Sequence, residues 1–294
     1  MDQSLKNRIG AQIFKFESSL SNAGGADASF TLDYERGRYR QGELVGLIRD
    51  VIPYFALTEE ELKTIDLSEI NKQSVSRISD ANKEKKGDYG EILLFVILDS
   101  FSNAPKFVTK ARLRSTNKEQ IKGFDCAHFS IENDQEVILW LGEAKFYKNF
   151  SNAVSKSLTS LQDHLNDPKK IKSELTLLGG EIEINKQLDN EKNQLLKSYV
   201  NGGRSLDKVR INVPVLITYD SKCIKEFCGD VNADIESDFF KEKLATELNS
   251  KFKTIYNKQW PNIKNVKIIF YIIPFESVDE IKNQIEQVEN ALKF

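Results

Sequence analysis

The chain has 294 residues, 40% hydrophobic and 29% charged, the balance of a soluble globular protein with a sizeable core. Lys and Arg total 42 against 44 Asp and Glu, a net charge of -2, which excludes strong nucleic-acid binding through net charge alone; local basic patches or a partner would have to supply it. Three cysteines (Cys126, Cys223, Cys228) and two histidines (His128, His164) exclude a disulfide framework and a His-rich metal centre.

The longest apolar run, Ile92 to Leu98, is too short to span a bilayer, and the first residues, MDQSLKNRIG, hold no signal-peptide core. Both features predict a cytoplasmic protein. Ser29 to Glu35 alternates, with Phe30, Leu32 and Tyr34 on one face, and predicts a half-buried strand. Gln41 to Phe55 has helical apolar spacing and closes near Pro53. Thr58 with Glu61 forms a capping-box pattern that opens a short helix. Ile70 to Lys86 turns polar and predicts an exposed connection. Gly87 to Phe101 is apolar nearly all round and predicts a buried helix.

Phe107 to Arg114 predicts a strand with Lys110, Arg112 and Arg114 on one face, suited to phosphate contact. Gly123 to Ile131 and Val137 to Phe146 predict two more strands, joined as a hairpin through the polar residues 132–136. Ser151 can cap the next helix, whose stripe is Val154, Leu158, Leu161 and Leu165. Residues 169–203 are charged and helix-like, broken at Gly179-Gly180 and Gly202-Gly203. Val209 to Tyr219 predicts a buried strand, Asp238 to Tyr256 an amphipathic helix, Val266 to Ile273 a strand and Val278 to Leu292 a last helix. The order predicts an α/β fold with a mixed central sheet. Residues 1–80 are expected to form a strand–helix region packed on the core, and 81–294 the main domain.

Asp125, Glu143 and Lys145 carry the chemistry. Alternation puts Glu143 and Lys145 on one strand face. A hairpin symmetric about Asp134 places Ile131 opposite Val137 and Asp125 opposite Glu143. Cross-strand Cβ atoms are then roughly 5 Å apart, so the two carboxylates can clasp a cation. A slip of one residue would undo this. Two close carboxylates repel, and a divalent ion removes the conflict; all-oxygen ligation suits Mg²⁺ or Mn²⁺. Such an ion acidifies water and neutralises charge on a phosphodiester, with Lys145 beside it. Glu91, in the buried helix, is the third candidate acid, with Asp88 one turn earlier as an alternative. The plainer alternative is a surface salt bridge between Glu143 and Lys145. His128 and Cys126 suit packing better than catalysis, and Gln162 can face a substrate.

Glu91 on a helix, Asp125, then Glu143-Ala144-Lys145 resembles the PD-(D/E)xK nuclease superfamily. Phe124 stands where that pattern often has Pro. The resemblance implies a restriction-endonuclease-like core of helix, three strands, helix and strand. It also implies Mg²⁺ on Asp125, Glu143 and Glu91, and Lys145 assisting hydrolysis of DNA. Leu32-Asp33-Tyr34, Leu44-Val45-Gly46-Leu47-Ile48, Tyr54-Phe55-Ala56-Leu57, Gly87-Asp88-Tyr89-Gly90-Glu91 and Gly142-Glu143-Ala144-Lys145 together are similar to the HamA family. That is the nuclease-subunit family of the Hachiman anti-phage defence system. This closer resemblance implies a helicase partner, HamB, that restrains the nuclease. A non-catalytic adaptor binding a helicase or DNA, and a stand-alone restriction or repair nuclease, are the alternatives.

Overall fold

The structure, a computed structural model, describes residues 1–21, 26–79, 88–102, 104, 106–109, 124–132, 136–166, 194, 198 and 209–292. Helix α1 (Gln3–Gly10) precedes strands β1 (Phe14–Phe16) and β2 (Ala28–Thr31), and β3 (Tyr34–Glu35) and β4 (Arg38–Tyr39) make a small separate hairpin. Three helices follow, α2 (Gln41–Ala56), α3 (Glu59–Thr64) and α4 (Leu67–Ser79), and then the long buried helix α5 (Asp88–Phe101). Next come β5 (Lys106–Thr109), β6 (Cys126–Glu132), β7 (Glu136–Lys145), α6 (Phe150–Leu165) and β8 (Arg210–Asp220). The described chain closes with α7 (Lys222–Phe227), α8 (Asp238–Tyr256), β9 (Val266–Phe275) and α9 (Val278–Leu292).

Among the described residues one seven-stranded mixed sheet carries the fold, in the order β1-β2-β9-β8-β7-β6-β5. Its centre is parallel: β2, β9, β8 and β7 run the same way. Its margins are antiparallel, through β1 on one side and β6 and β5 on the other. Because β2 pairs with β9, the first 79 residues share this sheet with the rest of the chain. From Asp88 to Asp220 the described elements run helix, three strands, helix, strand.

The central strands are apolar because both faces are covered. In β8 every residue from Ile211 to Tyr219 is buried. On one face lie α2, α5 and α9. Phe55 of α2 meets Phe95 of α5 with ring centroids 5.8 Å apart, and the Tyr89 hydroxyl of α5 donates to Glu289 of α9 at 2.9 Å. On the other face lie α6 and α8, both reaching Tyr219 of β8: the Phe150 ring is 5.3 Å away, and Glu247 accepts the Tyr219 hydroxyl at 2.8 Å. In α5, Ile92 to Leu98 are at most 1% exposed. Burying each such large side chain contributes about 1.5–3 kcal/mol.

Local expectations differ from the fold in four places. The Ser29–Glu35 segment is not one strand. It splits into β2, buried at every residue, and β3 in the separate hairpin, because β2 is clasped between β1 and β9. Helix α2 ends at Ala56, one residue beyond the expected Phe55, with Pro53 in its last turn. Pro53 lacks a donor and crowds the preceding turn, yet the helix closes one turn later, where Leu57 N–H donates to the Pro53 carbonyl at 2.9 Å. The polar segment from Ile70 is helical as far as Ser79. Few apolar side chains anchor it; Val75 and Ile78 are buried, and Arg77 bonds both the Ala56 carbonyl and Glu61. Finally, Asn149, not Ser151, caps α6, its side chain accepting from Asn152 N–H at 2.9 Å. The Thr58–Glu61 capping box is present as the pattern predicts.

Pro214 stands in the middle of a central strand, where a missing donor is costly. It pairs normally with Ile269 on the β9 side. Toward β7 the register is the same before and after, at Trp140↔Asn212 and Glu143↔Val215, but the pairing lapses at Val213 and Pro214, so the missing N–H falls in that gap. Among the described residues no helix is long and apolar enough to cross a membrane.

Candidate active site

The site is built at the end of β7. Gly142 there has no room for a side chain: a Cβ would stand 2.6 Å from Cys126 Sγ and 2.7 Å from Leu94 Cδ2. Four residues before Leu94, Gly90 brings α5 down on the same strand, where a Cβ would meet those of Phe146 and Ala144 at 3.1 and 3.3 Å. Gly142 and Ala144 thus face α5. Strand alternation then turns Glu143 and Lys145 to the opposite face, toward α6.

The β6–β7 hairpin has the symmetric register, with Ile131 opposite Val137 and Cys126 opposite Gly142. One step further on sets Asp125 across from Glu143. Asp125 precedes β6 and is tied down twice. Its N–H donates to the Gly142 carbonyl at 2.8 Å, and its Oδ2 accepts the Ala144 N–H at 2.8 Å. The carboxylate replaces the backbone acceptor that the ladder lacks beyond the strand end.

Asp125 and Glu143 are both buried, at 8% and 2% exposure. Lys145 forms an ion pair with Glu143 Oε1, and the Ser160 hydroxyl of α6 hydrogen-bonds the same carboxylate. Burial raises the Glu143 carboxyl above its ordinary value and the charge of Asp125 raises it further, while Lys145 and Ser160 pull the other way. Burial works against the Lys145 ammonium, yet Glu143 and Asp125 more than offset it and hold the amine above the usual lysine range. The Cys126 thiol is pushed well up by burial and then by Asp125, Glu91 and Glu143, the state of an inert core thiol.

The structure therefore brings Asp125, Glu143 and Lys145 to one face. Glu91 is buried on α5, the helix that covers the other face, and joins them in the field around Cys126. The side chain of Asp88 lies outside the described residues, as do Lys110, Arg112 and Arg114. His128 is fully buried, its Nδ1 2.7 Å from the Ala104 carbonyl and its ring against Phe95. Gln162 is exposed on α6. Sequence reasoning missed Ser160. The one available signal was two small polar residues, Ser157 and Ser160, one turn apart on an otherwise apolar helix face.

Among the described residues no three His, Cys, Asp or Glu side chains gather as a complete metal cage. The Asp125–Glu143 pair still offers hard oxygen donors with a charge conflict that Lys145 offsets only in part. Mg²⁺ is commonly held by one or two carboxylates, with water and substrate phosphate completing its shell. The donor set fits that ion.

A family model, HamA, matches residues 12–288. The chain belongs to the HamA family. The match runs from before β1 into α9 and takes in Glu91, Asp125, Glu143 and Lys145. No curated protein matches the chain. HamA membership places it among the components of the Hachiman defence system.

Proposed function

We propose that this HamA-family chain is a metal-dependent DNA nuclease. It hydrolyses phosphodiester bonds in the cytoplasm as the effector of an anti-phage defence complex with a helicase subunit. The observation that carries this reading is the meeting of two buried carboxylates, Asp125 and Glu143, with the Lys145 ammonium on one sheet face.

Asp125 and Glu143 would hold Mg²⁺ or Mn²⁺, which supplies a more acidic water and charge neutralisation at the scissile phosphate. The chain's own groups do the rest. Asp125 is pre-set by the Ala144 N–H and needs no reorganisation to present its carboxylate. Glu143 is oriented from two sides, by Lys145 and by Ser160. Lys145, ion-paired with Glu143, supplies a cation and hydrogen-bond donor beside the attacking water and the phosphate. Glu91 supports the site through its charge.

The test is plasmid cleavage with and without Mg²⁺, by the chain alone and with its helicase partner, for wild type, Glu143→Gln and Lys145→Ala. Cleavage lost in both variants, with folding intact, is the expected result. Metal-dependent cleavage retained in both removes the assignment. No cleavage under any condition, with tight partner binding, favours an adaptor.

A further inference from the structure

Lys145 is the last residue of β7, and the chain leaves the sheet through Phe146 and Tyr147. The two rings part company. Phe146 turns inward and packs against Phe275 with ring centroids 5.9 Å apart. Tyr147 turns outward and is 38% exposed. It lies close enough to Lys145 to act electrostatically on that amine.

The exposed ring sits on a rigid mount. Tyr147 N–H donates to Thr218 Oγ1 at 3.1 Å, and the Thr218 hydroxyl lies 3.3 Å from the Tyr147 carbonyl. Thr218 is itself fully buried in β8. One residue on, the Lys148 carbonyl accepts the Asp220 N–H at 3.0 Å. These bonds hold the backbone on both sides of the ring to β8.

A single exposed tyrosine calls for no explanation. This one has cations around it. The Lys282 ammonium of α9 stands 5.9 Å from its ring centroid and 5.6 Å from that of Phe146. The Lys148 side chain, 64% exposed, is the next residue along and pairs with Asp279. That exposed pair contributes little to stability, so a phosphate can displace Asp279 at small cost. An exposed aromatic face on an anchored backbone, with lysines beside it, is the composition of a surface that binds single-stranded nucleic acid. Duplex bases are covered on both faces, so such a ring can stack only on a base that has left its helix.

We propose that Tyr147 is a stacking platform for an unpaired base of the strand held at Lys145, with Lys148 and Lys282 on the flanking phosphates, so that the site takes single-stranded DNA. This deepens the nuclease reading and rests on it for the identity of the ligand.

The test uses the full chain and a single-stranded oligonucleotide carrying 2-aminopurine, whose fluorescence falls on stacking. In a Glu143→Gln background, binding should quench the probe. Adding Tyr147→Ala should abolish the quench and weaken binding about tenfold, as loss of one base–aromatic stack does. Tyr147→Phe should restore both. Duplex and abasic oligonucleotides should bind equally with and without the ring. Otherwise unchanged Tyr147→Ala chain that cuts single strands at the wild-type rate, or a quench that survives the substitution, overturns the platform and leaves the nuclease reading standing. A Tyr147-dependent quench in a chain that cuts no DNA under any condition does the reverse.

Discussion

Asp125 accepts the backbone N–H of Ala144 at 2.8 Å, so one carboxylate both ends the β6–β7 ladder and stands beside Glu143. The two roles can be separated. Asp125→Asn keeps an oxygen acceptor for Ala144 and loses the charge; it should melt near wild type and lose about a hundredfold or more in cleavage rate. Asp125→Ala leaves that buried N–H unsatisfied and should lose about 1–3 kcal/mol of stability as well. Urea unfolding alongside a cleavage assay separates the two effects.

Gly142 tests the close approach of α5 to β7. A methyl group there meets Cys126 Sγ at 2.6 Å and Leu94 Cδ2 at 2.7 Å. Gly142→Ala should destabilise by about 1–3 kcal/mol through overpacking. Cys126→Ala in the same chain should recover part of that loss, since it removes one of the two colliding atoms. Equal stability of the single and double variants would mean that Leu94 alone sets the limit.

Glu143 should make stability depend on both metal and pH. At a hundred times its dissociation constant, a divalent ion should stabilise wild type by about 2.7 kcal/mol, and Glu143→Gln by far less. Thermal melts with Mn²⁺ and with chelator measure this. Without metal, the folded carboxyl binds its proton more tightly than the unfolded one. Its contribution is fully present below the ordinary glutamate value of 4.5 and is lost as pH rises through the raised folded value. Glu143→Gln should flatten that fall.

Glu61 runs the other way. The Arg77 hydrogen bond, against some desolvation, holds its carboxyl at about 2. The stability it contributes is present above the ordinary value of 4.5 and is lost as pH falls through about 2. Arg77→Ala should cost about 1–2 kcal/mol near neutral pH. It should also weaken the acid dependence between those limits, as read from melts across that range.

What could be read in the linear chain is what depends on near neighbours. Residues two apart on a strand share a face, which already set Glu143 beside Lys145. A hairpin pairs residues symmetric about its turn, which already set Asp125 against Glu143. The capping box at Thr58 and the all-apolar helix ahead of the hairpin are legible for the same reason.

Helix α4 gives a weak signal because only two of its apolar side chains, Val75 and Ile78, are buried, too short a stripe to stand out in a polar segment, while Arg77 ties it to the end of α2. The alternation after Ser29 runs on past Thr31, but β2 ends there, where its pairing with β1 runs out at Phe14↔Thr31, and tertiary pairing rather than periodicity sets that end. Pro214 in a central strand, Ser160 on the Glu143 carboxylate and the side of the sheet that carries Glu91 all depend on which distant segments come to lie together. Alternation and turn symmetry act over a few residues and are written locally. Parallel pairing and helix packing join segments far apart in the chain, and only the folded molecule decides them.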